Sequence, residues 1–205
     1  MKKLVLPLMA IFLFSFTAKD YGITEKEREK AIEHLTKTRD HMKAVLDGLT
    51  DAQLNFQAAE ASWSIAQCVE HLAISETTFN GLIKQTVATG NNPALKDSIK
   101  LSDDQLVKII IDRSNKVKTS EAFEPSGKFG SHKATVDAFI AKRDAHIAYV
   151  KTTEDDLRNR FNSNLPFGTV DAYQLLLFTA GHTERHVLQM EEVMNSQLFP
   201  EADDE

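Results

Sequence analysis

The stretch Val170–Met194, VDAYQLLLFTAGHTERHVLQMEEVM, decides how this chain folds. It contains no proline and is rich in Leu, Ala, Gln, Met and Glu, residues that lose little freedom in a helix. Leu175, Phe178, His182, His186, Gln189 and Val193 recur three or four positions apart, the spacing that lines one face of an α-helix. His182 and His186 therefore stand on an inward stripe, not on a solvated face. Buried imidazoles need partners for their ring nitrogens, and burial disfavours charging them. One divalent cation shared by the pair satisfies both rings. An isolated H-x-x-x-H also fits two unrelated core histidines, so the pair alone leaves both readings open.

Three further segments show the same period. The first runs from about Thr24 to Leu49, with Thr24 and Glu27 at capping-box spacing and Leu35, Met42, Val45, Leu46 and Leu49 as its apolar face. The second begins near Ser64, after Trp63, and reaches about Ala88, before Gly90-Asn91-Asn92-Pro93. The third covers about His132 to Phe161, with Val136, Phe139, Ile140, Ile147 and Val150 inward. A turn over Gly48–Ala61 links the first two. A long connection with its own helix, Ser102–Lys118, and a Pro125-Ser126-Gly127 turn links the second to the third. Asn162–Gly168 reads as a loop, and no strand or internal repeat is expected. Four long helices with one long crossover describe an all-α four-helix bundle over about residues 24–195, followed by an acidic tail, 196–205.

Composition agrees. The 205 residues fit one domain with a sizeable core, and only 8 Gly and 5 Pro interrupt a chain that is 42% hydrophobic. A net charge of −6, with no basic cluster interleaved with aromatics, argues against nucleic acid as a partner. The single cysteine, Cys68, excludes an intramolecular disulfide and a cysteine-only metal site, and reads as a small buried hydrophobe. At the N-terminus, Lys2 and Lys3 precede an apolar run, Leu4–Phe16. That run is shorter than the roughly 20 residues of a membrane-spanning helix, so about residues 1–20 read as a secretory leader cut after Thr17 or Ala18. The expectation is an exported protein with no stable membrane span in its mature part.

A third ligand is sought on another inward face. Cys68, His71, Ser75, Phe79 and Leu82 form one stripe of the second helix, which makes His71 a candidate to meet His182 and His186. His71 also reads as a core histidine satisfied by a neighbour. Three neutral imidazoles leave a coordination position for water or substrate, as catalytic zinc sites do. Imidazole equally suits nickel and iron, so the expected cofactor is a divalent ion of one of these three kinds. Gln67, one turn before His71, and Glu76, just after it, are candidates to orient ligands or move protons. Glu76 also fits a polar helix residue facing a neighbour or solvent. Arg185 should point away from the metal and pair with an acid, and Trp63 should anchor the core. His34, His41 and His146 could border a cavity. No Ser/His/Asp triad, phosphate-cradling glycine loop or cysteine nucleophile motif is present.

The stretches Trp63–Glu76, WSIAQCVEHLAISE, and Gly181–Met190, GHTERHVLQM, in this order and at this separation, resemble the second- and fourth-helix signatures of the DinB-like superfamily. The resemblance covers about residues 24–195. It implies an up-down-down-up bundle with a long crossover between helices 2 and 3, and a metal held by His71, His182 and His186. Family members include thiol transferases that use low-molecular-weight thiols and an isomerase, and homodimers are common. The resemblance thus implies a metal-dependent thiol S-transferase or small hydrolase acting on a small molecule, or a bundle that binds metal without turnover. The leader departs from the family pattern and makes a cytosolic thiol a poor cosubstrate. The charge pattern lends no support to a DNA-damage role.

Overall fold

The computed structural model describes residues 22–202, so the expected leader, about residues 1–20, and the last acidic residues lie outside the described part. Four long helices dominate: α1 (Glu25–Leu46), α3 (Ile65–Ala88), α5 (His132–Thr152) and α6 (Ala172–Met194), with short helices α2 (Asp51–Asn55) and α4 (Asp103–Ile111) between them. Side-chain caps start them. Thr24 with Glu27, Thr50 with Gln53, Ser64 with Gln67 and Ser102 with Gln105 form reciprocal capping boxes, and Asp171 caps α6. No helix among the described residues is long and apolar enough to cross a membrane.

Three sequence expectations need correction. The third long helix ends at Thr152, well short of Phe161, because the Thr153 hydroxyl accepts the Asp155 N–H and donates to the Asp155 carboxylate, a local pattern that competes with the helical ladder. The expected loop contains a hairpin, β1 (Phe161–Leu165) paired antiparallel with β2 (Gly168–Asp171), turned at Pro166 and Phe167. Gly168 has φ +98°, which favours glycine there. The crossover helix stops at Ile111, not Lys118, where the Asp112 carboxylate accepts the Ser114 N–H at 2.9 Å.

α1 packs on α5 and α6, α3 packs on the same two, and α4 lies against the outer side of α6. The core divides in two. One apolar cluster holds Leu35, Ile83, Ile147, Leu175–Leu177 and Ala180, the other Met42, Leu72, Phe139 and Val187. In sequence, Thr38, Glu76, Arg143 and Thr183 fall between the members of the two clusters on their own helices. They form a polar layer, and Arg143 is fully buried in it. Its guanidinium donates to both Glu76 carboxylate oxygens (2.5 and 3.2 Å), to the Leu35 carbonyl and Thr38 hydroxyl of α1 (3.0 and 2.7 Å), and to the Thr179 carbonyl and Thr183 hydroxyl of α6 (3.3 and 2.6 Å). His146 Nδ1 lies 2.9 Å from Glu76 Oε2, the oxygen that also accepts from Arg143 Nε. Burial pushes the Glu76 carboxyl up, but the Arg143 charge and the bonds to Arg143 and His146 outweigh it and hold Glu76 below the usual carboxylate range.

Removing one member of a buried pair strands the other charge at a cost of about 3–5 kcal/mol. Arg143→Met should therefore lower the urea-unfolding free energy by about that amount. A loss under about 1 kcal/mol would show that the layer does not hold the bundle.

Candidate metal centre

α3 and α6 are neighbours, and the inward stripes read from the sequence meet. His71, His182 and His186 come together so that one ring nitrogen from each lies within 4.8 Å of the others. The Nε2 atoms of His71 and His182 are 3.2 Å apart, and the His186 ring centroid lies 4.4 and 4.7 Å from those of His71 and His182. Aromatic side chains wall the cluster. Trp63 lies against His71 and His186, the edge of Phe79 meets His182, and Phe178 and Phe123 close the sides.

Two rings have their orientation set from outside. His71 Nδ1 donates to the Phe123 carbonyl at 2.8 Å, and His186 Nδ1 to Gln189 Oε1 at 2.9 Å. Gln189 in turn receives a long bond from Arg113, which forks onto Glu192 with two 2.6 Å bonds. With the proton on Nδ1, Nε2 keeps its lone pair, and in His71 that lone pair faces His182. Two Nε2 atoms at this separation need a proton or a cation between them. Neutral imidazoles turned inward, with Nδ1–H held by a carbonyl or an amide, form a donor set suited to a divalent ion.

The electrostatics keep the rings uncharged. Burial pulls the His71 imidazole below its ordinary range, against the opposing effect of its bond to Phe123. Burial, then the neighbouring His186 and His71, pulls His182 far below that range. Burial and then His71 push His186 down to about 3, with the Gln189 bond opposing.

The other residues singled out in the sequence lie elsewhere. Gln67 is used at the start of α3, where its amide oxygen accepts from the Ser64 N–H at 2.9 Å and from Gln57 at 3.1 Å. Glu76 belongs to the Arg143 layer, and its bonds go to Arg143 and His146. Neither side chain hydrogen-bonds to the three histidines. Arg185 points away from them as expected, but its partners are carbonyls and not an acid: it donates to Ile110, Asp112 and Asn115 at the end of α4. Cys68 is fully buried, and burial pushes its thiol up to about 12. Trp63 is half-buried and serves as a wall of the centre. His34 stands apart on α1 and His146 supports Glu76. His41 lies between Glu184 (3.1 Å) and Glu191 (3.2 Å), whose charges and bonds overcome burial and raise it.

Sequence reading missed Phe123, since its contribution is a backbone carbonyl from a segment read only as connection. It left Gln189 without a role, although its place one turn after His186 on the same stripe was a usable signal. Two surface clefts lie away from the histidines. One of about 250 Å³ sits between the end of α3 and β1, and one of about 580 Å³ lies around Arg158 and Asp103.

Comparison with known proteins agrees with this geometry. The family model of the DinB superfamily matches residues 34–190. The uncharacterized protein YuaE of Bacillus subtilis (strain 168) is 31% identical over 155 residues, 72% of this chain and 87% of YuaE. The solved structure of YfiT from Bacillus subtilis, described as a probable metal-dependent hydrolase with an unusual four-helix bundle topology, superposes with a TM-score of 0.57 at 16% identity. That match covers 84% of this chain and 89% of YfiT. The match across most of the helical region and the two histidine stripes that meet in the bundle lead to one conclusion: this chain belongs to the DinB superfamily.

Proposed function

We propose that the protein is a metal-dependent hydrolase of a small substrate, with one zinc, nickel or iron ion held by His71, His182 and His186. The observation that carries this reading is the convergence of three neutral imidazoles, two of them with Nδ1–H already engaged so that Nε2 is free to ligate. The description of the structural neighbour YfiT as a probable metal-dependent hydrolase supports it. A divalent ion of this kind, when bound, polarises a carbonyl oxygen and acidifies water or a thiol.

The chain's own residues supply the rest. Phe123 and Gln189 hold the tautomers, and the Arg143 layer keeps α3, α5 and α6 in register beneath the site. Trp63, Phe79 and Phe178 exclude water and lower the local dielectric, which strengthens every charge interaction there. A second reading, thiol transfer at the same centre, is favoured by one observation: among the described residues no carboxylate hydrogen-bonds to the three rings. A thiol, with an ordinary pKa of about 8.5, ionises with less help from a base than water needs. Export, read from Lys2, Lys3 and the run Leu4–Phe16, is part of the proposal and weighs towards hydrolysis, because it removes the protein from cytosolic thiols.

Metal analysis of purified protein should find about one divalent ion per chain, and His182→Ala should lose most of it. Equal content in both proteins would remove the site. Chelator-sensitive release of acid from ester and amide substrates supports hydrolysis, a thioether product formed with added thiol supports transfer, and a bound ion without either supports a binding role.

The lowered histidines also set a pH profile. Three ordinary imidazoles of pKa about 6.5 would lose roughly a thousandfold in metal affinity between pH 7.5 and 5.5, because protons compete for each ligand. Here burial keeps the rings neutral to lower pH, so affinity should fall far less over that range. A full thousandfold drop, measured by competition titration, would contradict the neutral-ligand description.

A further inference from the structure

The connection between α4 and α5 meets the histidine cluster as a strap, with Phe123 against His71, and both of its ends are tied. At the α4 end, Arg185 holds the carbonyls of Ile110, Asp112 and Asn115, and Arg113 forks onto Glu192. At the other end, Glu70, beside His71 on α3 and only 8% exposed, accepts three consecutive backbone N–H groups. Ser126 and Lys128 donate to Oε1 and Gly127 to Oε2, each at 3.0 Å. Gly127 has φ +74°, a left-handed conformation that lets successive N–H groups converge on one anion.

Between the two ties lies Phe123, the last residue of a single 3₁₀ turn, Glu121–Phe123, whose carbonyl receives the His71 proton. The link from Phe123 to the Glu70 clamp is stiff. Proline fixes the backbone angle at Pro125, and Glu124 before it is extended (φ −71°, ψ 141°). A shift at residues 126–128 is therefore passed on to Phe123 and not absorbed between them. Charge-assisted bonds to a carboxylate are the strong ones, so three on one side chain make Glu70 the strap's main anchor at that end.

We infer that Glu70 is a positioning residue of the metal centre. By seating Ser126, Gly127 and Lys128, it places the Phe123 carbonyl where it holds the proton of His71 on Nδ1 and leaves Nε2 free for the ion. The inference rests on the reading of the three histidines as ligands, but its first step concerns His71 alone. Without the clamp, the carbonyl moves off, and His71 can carry its proton on Nε2, facing His182, where it blocks ligation.

The test compares wild type, Glu70→Ala and Glu70→Gln. Long-range ¹H–¹⁵N NMR of the metal-free proteins reads the His71 tautomer, and Co²⁺ titration followed by visible absorption reads the site. The expected result is Nδ1–H in wild type, a mixed or reversed tautomer in Glu70→Ala, and Co²⁺ affinity about tenfold weaker or more. Glu70→Gln should fall between, because one amide oxygen can keep the Ser126 and Lys128 bonds; it carries the test if Glu70→Ala does not fold. A merely structural Glu70 would lower the melting temperature and leave the tautomer on Nδ1. An Nδ1 tautomer unchanged in both variants overturns the inference, whatever their Co²⁺ affinity. Should wild type bind no Co²⁺, the metal reading fails, while the tautomer in metal-free protein still decides the role of Glu70.

Discussion

A guanidinium buried at the centre of the bundle is the constraint on which the rest of this structure depends. Arg143 reaches α1, α3 and α6 from α5, and each of its hydrogen bonds goes to an oxygen of those helices at the level between the two apolar clusters. A buried charge of this kind adds little net stability compared with a well-packed apolar core. What it adds is register. If any of the four helices slipped by one turn, Glu76, Thr38 or Thr183 would leave the layer, and Arg143 would be stranded in an apolar interior. Thr179 and Thr183 flank His182 in sequence, and Glu76 follows His71 by five positions on α3. The register that satisfies Arg143 is thus the register that brings the two histidine stripes together.

The centre is built to keep imidazoles neutral. Among the described residues no carboxylate bonds to its three rings, and burial together with their mutual proximity disfavours protonation. His41, on α1 against α6, shows the opposite treatment. Held between Glu184 and Glu191 at a wetter position, it is stabilised in the charged form and works as an ionic tie between α1 and α6. One residue type thus serves as a neutral donor or as a cation, according to desolvation and the charges it meets. The tautomers at the centre are set by groups outside the two signature stretches or at their edge: a backbone carbonyl from the crossover and an amide one turn beyond His186.

Much of this was legible in the residues. The four long helices and the Thr24 cap follow from periodicity of three to four and from residue types at helix starts; the inward stripes made His71 a candidate to meet His182 and His186, and the resemblance to the DinB-like superfamily implied the full set. The hairpin at residues 161–171 escaped, because its strands are short and polar and lack the alternation that marks a half-buried strand. The polar layer escaped for a related reason. Arg143 and Glu76 are charged residues on amphipathic helices, and such residues usually face water, so only the three-dimensional packing shows that they are buried together. Gln67 and Glu76 were drawn to the metal by their nearness to His71 in sequence, yet Gln67, one turn earlier on the same side, is taken by the Ser64 N–H at the helix start, and Glu76, five positions later, is turned about 140° round the helix towards Arg143. The Glu70 clamp depends on three backbone N–H groups; Pro125-Ser126-Gly127 marks the turn that carries them, but nothing in the residue types names Glu70 as their partner.

X-ray absorption at the zinc edge of protein reconstituted with one equivalent of zinc tests the central claim most directly. Three imidazole nitrogens at about 2.0–2.1 Å, with the outer-shell scattering of ordered rings and no sulfur, is the predicted result. A shell of oxygen atoms alone, or one with fewer than two imidazoles, would contradict it.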